Sequence, residues 1–278
     1  MRTTRTQRFM RATAGRFSAA TLFSALASTV GAGTALAWEM RVCADPDKMP
    51  FSRMDMGGFE NKIAVLLAQE LGAKLTFEWF PQNREMLTDN LRVGKCDIVI
   101  GVQDGQATLL STLAYYRSPF VFVQKAEQPF SVSMFDDPVL QTLRIGVQDS
   151  IGPTHDALRV RGLGANIAEY YDFDLTIGVQ EVVSGKVDVS VLWGPAAGYY
   201  ASLAPMPLTV TPVTPEFEPP FTPMFINIAV GLRRGDEELR ELLDIAIAKQ
   251  WDAIAAVLDE YHVPTMPLQQ PLLSVEGR

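Results

Sequence analysis

The chain has 278 residues, with 32 acidic side chains against 24 basic ones and a net charge of −8. An acid surplus of this kind excludes a protein that grips a phosphate backbone by releasing counterions. The length fits one large domain or two small lobes.

The first 16 residues carry Arg2, Arg5, Arg8, Arg11 and Arg16 and no acid. A small-residue apolar run follows, "FSAATLFSALASTVGAGTALA", and ends in Ala35-Leu36-Ala37. This is the layout of a cleaved export leader, residues 1–37, with an A-x-A cleavage site. The run is too rich in Ser, Thr, Gly and Ala for a good membrane span. Cleavage removes five arginines, leaving 19 basic against 32 acidic residues and a net charge of −13 on a 241-residue mature chain. Such a charge favours solubility; it suits the steering of a basic protein partner, though a plain solvated acidic surface of an exported protein is the better account. No later stretch is long and apolar enough to span a bilayer, so the expected location is the periplasm, an oxidising compartment.

The mature chain alternates strand-like and helix-like runs. "EMRVCA" predicts a buried strand, and "FENKIAVLLAQELG" predicts a helix with apolar residues at Phe59, Ile63, Leu66, Leu67 and Leu71, closed by Gly72. "KLTFEWF" alternates at period two, "NREMLTDNLRVG" reads as a second helix, and "CDIVIG" as a third strand, apolar on both faces. After "YYRSPFVFVQKA" the pattern restarts. "LRIGVQ", "NIAEYY", "KVDVSVLWG" and "PLTVTPV" read as strands, with "GPTHDALRVRG", "LTIGVQEVVSG" and "PAAGYYASLA" as helices. "TPEFEPPFTP" reads as an extended, proline-rich linker. "FINIAVGLRRG" predicts a long strand, and one helix is expected from about Asp236 to Tyr261.

Two halves of similar design result. Gly-Lys-x-Asp recurs at Gly94-Lys95-Cys96-Asp97 and at Gly185-Lys186-Val187-Asp188, each time before a strand. The fold class is α/β, with two lobes that each carry a mainly parallel sheet flanked by helices. Lobe 1 is assigned to residues 38–122 plus 225–278 and lobe 2 to 123–224. Two crossing segments, near 119–125 and 221–227, form the expected hinge.

The order "RVCAD", "GFENKIA", "CDIVIG", "YYRSPFVF" and "WGPAAGYY" resembles the type II periplasmic substrate-binding proteins. More narrowly it resembles the MoxJ/XoxJ-type accessory proteins encoded beside pyrroloquinoline-quinone (PQQ) alcohol dehydrogenases. The resemblance covers residues 41–267. It implies a cleft between the lobes, with strand C-termini and helix N-termini facing it, in line with the general rule for parallel sheets. The loop from Asp45 to Gly58 leaves the first strand at that cleft, and Gly57-Gly58 lets the backbone bend into the helix.

Amino-acid-binding members of the superfamily hold the ligand carboxylate with an Arg and the ammonium with an Asp. Here the Arg position falls near Gly105, and Trp193 takes the place of the Asp. An unpaired desolvated charge costs about 3 kcal/mol or more, which argues against an α-amino acid ligand. The residues left to line the cleft are Asp45, Pro50 and Phe51 from the loop, and Phe59 and Glu60 from the helix start. Gln103, Asp104, Tyr116 and Arg117 come from the third strand and the first crossing segment. Gln148, Ser150 and Thr154 open the second half, and Trp193, Gly194 and Pro195 end its last buried strand. Trp193 and Tyr116 suit stacking on a ligand or a protein side chain, or plain filling of the lobe interface. Ser150 and Thr154 suit an anion at a helix N-terminus, or simple capping. Met49, Met54 and Met56 are soft ligands without a His or Cys in the loop, so adaptable apolar contact is the better account.

Nothing in the chain points to catalysis. There is no G-x-S-x-G, no zinc-ligand spacing, and the two histidines, His155 and His262, are far apart. No metal or cofactor is expected. In the fold implied by the resemblance, the strands carrying Cys43 and Cys96 are neighbours, open to a disulfide or to two buried thiols. The resemblance implies a non-enzymatic accessory factor whose partner is a PQQ-dependent methanol or alcohol dehydrogenase or its c-type cytochrome. The alternative is the substrate-binding component of an ABC transporter for a small solute other than an ordinary α-amino acid.

Overall fold

The computed structural model describes residues 38–81, 89–148, 152–170, 174 and 176–271. The leader expected at residues 1–37 lies outside them, as does the start of the helix expected at 83–94, of which residues 89–92 are helical.

β1 (Glu39–Ala44) is the centre of the first half. The loop after it holds a two-strand hairpin, β2 (Asp47–Lys48) and β3 (Ser52–Arg53). Then comes α1 (Phe59–Leu71), whose buried face is Phe59, Ile63, Ala64, Leu67 and Ala68. The helix stops at Gly72, where φ is +62°, a conformation that costs glycine nothing. β4 (Lys74–Trp79) and β5 (Ile98–Gln103) flank β1 and run parallel to it. The short β6 (Leu110–Ser111) follows, then the long β7 (Tyr116–Lys125).

β7 leads into the second half, built from β8 (Ile145–Val147), α2 (Pro153–Val160), β9 (Ile167–Tyr170), α3 (Ile177–Ser184), β10 (Val189–Trp193), α4 (Gly194–Ser202) and β11 (Leu208–Pro212). β8 pairs in parallel with β9 and β10, while β10 and β11 run antiparallel to β7. The stretch expected as a linker instead folds into a hairpin, β12 (Phe217–Glu218) with β13 (Thr222–Pro223). β14 (Phe225–Leu232) returns to the first half. It pairs through Phe225–Ile228 with Tyr116–Pro119 of β7 and further on with β5. One sheet results, in the order β4-β1-β5-β14-β7-β10-β8-β9.

The repeated Gly-Lys-x-Asp is a structural device used twice. Gly94 and Gly185 both sit at φ +77°. Asp97 accepts from the backbone N–H of Arg41 at 2.9 Å and from its guanidinium at 2.7 Å. Asp188 does the same for Arg144, at 2.8 Å for both contacts. Each pair ties the foot of one strand to the foot of the next, and so sets the register of two parallel strands.

Two apolar clusters lie on either side of the crossing. The first unites Phe59, Ile63 and Leu67 of α1 with Ile98, Val230, Leu243, Ile247, Ile254 and Leu258. The second gathers Phe122, Phe135, Leu140, Ile145, Leu158 and Val191. Trp193 and Ile226 pack against both. The single terminal helix expected from the sequence is two, α5 (Glu237–Lys249) and α6 (Trp251–Glu260), separated at Gln250. Their apolar positions continue one period and bury against α1, which is why the break leaves no trace in the pattern.

Candidate functional site

The loop between β1 and α1 is folded back on itself by short polar contacts. The Asp45 carboxylate accepts from the N–H of Asp47 at 2.8 Å, and the Ser52 hydroxyl donates to the Asp45 carbonyl at 2.8 Å. The Asn61 side chain accepts from the N–H groups of Arg53 and Gly58. Gly58 lies so close to the Phe51 carbonyl that a Cβ there would collide with backbone. This turn drives Phe51 inward, where it is 6% exposed. Met54 stays in solvent, while Met49 turns toward the first apolar cluster.

Phe51 stacks on Trp193, centroids 5.7 Å apart and planes within 8°. Phe51 comes from the loop that follows β1, in the turn between β2 and β3, and Trp193 from the carboxyl end of β10, so the rings join the two halves beyond these strand ends. The contact continues as a chain. Phe51 touches Phe59 at 5.3 Å, Phe59 meets Tyr116 and Tyr261 edge-on, and Tyr261 stacks on Tyr199 at 5.9 Å. The Tyr200 hydroxyl donates to the Met49 carbonyl at 2.7 Å, and the Tyr261 hydroxyl to the Gly57 carbonyl at 2.6 Å. Trp193, Tyr199 and Tyr200 all belong to α4 or its first cap, so this one helix holds the first half at two points.

The close approach depends on glycine. At Gly194 a Cβ would lie 2.5 Å from the Ser118 hydroxyl oxygen, and at Gly198 it would run into the His262 carbonyl and Pro264. Replacing Gly198 by alanine is therefore expected to cost about 2 kcal/mol, the scale of overpacking in a tight contact. Denaturant titration reads the loss, and a weaker near-ultraviolet signal from Trp193 and the tyrosines reports the loosened junction.

The junction also holds polar groups. Gln148 takes part by accepting the backbone N–H of Trp193 at 2.6 Å. The Trp193 indole N–H and the Tyr116 hydroxyl are buried and have no hydrogen-bond partner among the described residues. Burial pushes the Glu60 carboxyl up to about 8; Asp45 adds to the rise and Lys48 opposes it. Its carboxyl rests on the bare Cα of Gly101, where φ is +80° and any side chain would strike it. Burial also raises the Tyr116 phenol.

Asp45, Pro50, Phe51, Phe59, Glu60, Tyr116, Gln148, Trp193 and Gly194 thus meet at or beside the junction. Pro195 is buried in the first turn of α4 and Thr154 in the first turn of α2. Gln103 is exposed, and Asp104 accepts from the Ser111 hydroxyl at 2.8 Å. Strand alternation puts Arg117 on the opposite face of β7 from Tyr116. There it donates to the Asn227 side chain at 2.7 Å and covers the Phe225 ring. Ser150 lies outside the described residues. Tyr199, Tyr200 and Tyr261 are the junction residues that pattern reading passed over. The Gly194-x-x-x-Gly198 spacing beside Tyr199-Tyr200 was the available signal for a helix pressed against another backbone. Among the described residues, no three His, Cys, Asp or Glu side chains gather as a metal site, and no helix is long and apolar enough to cross a membrane.

Comparison with known proteins agrees with this architecture. The chain is 30% identical over 267 residues to protein MoxJ of Methylorubrum extorquens strain AM1, covering 90% of this chain and 87% of that one. The crystal structure of MxaJ from Methlophaga aminisulfidivorans MPT superposes with a TM-score of 0.75 at 26% identity, covering 82% of this chain and all of that one. The periplasmic binding protein XoxJ from Methylobacterium extorquens AM1 gives 0.69 at 32% identity, with the same coverage. Residues 40–262 match the family model itself, and the chain belongs to family 3 of the bacterial extracellular solute-binding proteins.

Proposed function

We propose that this protein is a non-enzymatic periplasmic accessory factor that engages a PQQ-dependent methanol or alcohol dehydrogenase, or its c-type cytochrome, during maturation or activation. The observation that carries the reading is the Phe51–Trp193 stack. In parallel sheets a solute sits outside the carboxyl ends of the strands. Here aromatic side chains of the protein meet in that position. The similarity to proteins named MoxJ, MxaJ and XoxJ points the same way. In this proposal the lobes are residues 38–122 with 225–278, and 123–224. They are jointed where β7 leaves its pairing with β14 for its pairing with β10, near Pro119 and Phe225. An export leader at residues 1–37 delivers the chain to the periplasm.

The purified mature protein should capture the dehydrogenase large subunit or its cytochrome from periplasm at low salt, and less of it as salt rises. Capture of neither would overturn the reading.

A specific observation favours a second reading, the solute receptor of an ABC transporter. The Tyr116 hydroxyl and the Trp193 indole N–H have no partner among the described residues, and burial raises the Glu60 carboxyl to about 8, so the junction offers donors to an acceptor-bearing solute. A thermal-shift screen of small polar metabolites separates the two. A rise of several degrees with one compound would favour the receptor.

A further inference from the structure

The hairpin β12–β13 presents an unusual combination of stiffness and exposed apolar surface. Phe221 at its tip is 88% exposed and Phe217 is 50% exposed. Four prolines, Pro215, Pro219, Pro220 and Pro223, restrict the chain around them. The base is anchored by contacts from distant parts of the sequence. Glu218 is only 4% exposed and accepts from the Arg161 guanidinium at 2.6 Å, and Arg161 also binds Asp136 at 2.7 Å. The Thr214 hydroxyl and N–H both donate to the Ser133 carbonyl. Phe217 meets Phe225 edge-on at 5.3 Å, and Phe225 is the first residue of the crossing strand β14. A buried ion pair and a double hydrogen bond thus hold rigid a loop whose apolar ring contributes nothing to the core.

An aromatic ring held still in solvent loses little conformational freedom when it binds, and this is what binding anchors require. The charges around it indicate the partner. Arg161 is covered by its two carboxylates, whereas Asp136 and Glu216 face solvent. Met134, next to Ser133, is 43% exposed. The patch is therefore apolar at the centre with the exposed Asp136 and Glu216 at its rim, while the half-buried Arg117 lies over Phe225 and is tied to Asn227. A second copy of the same chain would bring acid against acid, on molecules with a net charge of −13 once the leader is gone.

We infer that the Phe221 hairpin is a docking point for a protein that offers an apolar socket bordered by Lys or Arg. Under the function proposed above, on which this inference rests, that protein is the dehydrogenase or its cytochrome. The hairpin reaches it from outside the aromatic junction.

The test uses the mature full-length protein and two exposed-site variants, Phe221→Ser and Glu216→Lys. Binding to the purified dehydrogenase holoenzyme, and separately to the cytochrome, is measured by interferometry, with sedimentation of each variant alone. The melting temperatures should stay within about 1 °C of wild type, since surface changes away from buried contacts are nearly neutral. Phe221→Ser should weaken binding at least tenfold, the loss typical of a hot-spot aromatic. Glu216→Lys should slow association several-fold at low salt and lose that effect at high salt. Wild-type binding that both variants retain in full would overturn the docking site and leave the proposed function standing. Absence of wild-type binding to either protein would overturn both. A wild-type dimer that Phe221→Ser dissolves would replace the heterologous partner with a second copy.

Discussion

Replacing Glu60 by glutamine is expected to make the protein more stable at pH 8 and to leave it nearly unchanged at pH 4.5. The Glu60 carboxyl lies against Gly101 beside Tyr115 and Tyr116, and burial raises it from the ordinary glutamate value of 4.5 to about 8. Below pH 4.5 the group is protonated in both folded and unfolded chains and has no differential effect. Between 4.5 and 8 the unfolded chain releases a proton that the folded chain keeps, so wild-type stability falls as pH rises. Above 8 both states are ionised and the slope vanishes. One proton over this window is worth about 1.4 kcal/mol per pH unit, or up to about 4 kcal/mol by pH 8. Glutamine keeps the shape and cannot ionise. The nearby groups temper the shift in opposite directions, Lys48 downward and Asp45 upward. Urea unfolding of both proteins at pH 5, 6.5 and 8 checks this. Stability differences that stay constant across the three would show that Glu60 is ionised throughout. The consequence for the site is that burial favours the protonated form of Glu60, a donor beside Tyr115 and Tyr116.

Much of this arrangement was legible before any coordinates. β1, α1 and β5 follow directly from "EMRVCA", "FENKIAVLLAQELG" and "CDIVIG", because their hydrophobic period is local and strong. The repeated Gly-Lys-x-Asp marked two similar halves, and the two Arg–Asp clamps give it a physical cause. Trp193 and the Asp45–Gly58 loop, expected to line a cleft, are where the Phe51–Trp193 stack forms. What escaped was decided at long range. The Phe217–Pro223 hairpin is held by Arg161, 57 residues away from Glu218, and its prolines argue against a strand on local grounds. Tyr199 and Tyr200 look like ordinary helix residues until Tyr261 packs on Tyr199 and the Met49 carbonyl meets Tyr200, from positions 62 further on and 151 back. Arg117, expected to line the cleft along with Tyr116, instead lies on the opposite face of β7, because strand alternation turns the two apart.

The other large effect concerns the bond between Cys43 and Cys96, which joins β1 to the residue two positions before β5 and is the only disulfide among the described residues. The two sulfurs lie among Leu91, Val99, Val102 and Ala229, in a small apolar cluster behind the sheet. The bond closes a loop with a sequence separation of 53 residues. In the chain-entropy account a loop of this size removes about 4 kcal/mol of unfolded-state freedom. Cys43→Ser with Cys96→Ser should cost at least that, because two hydroxyls would be placed in an apolar cluster without partners. Cys43→Ala with Cys96→Ala isolates the cross-link itself, so its loss should come close to the entropic figure. The loop it closes contains β2, β3, α1 and β4, hence every first-half contribution to the aromatic junction except Tyr116 and Tyr261. A reduced chain should therefore lose the Phe51–Trp193 stack at lower denaturant than it loses the second half, where no cysteine lies. Unfolding followed by Trp fluorescence and by far-ultraviolet dichroism, with and without reductant, gives the comparison. Coincident transitions shifted by less than about 1 kcal/mol on reduction would mean that packing alone holds β1 against β5.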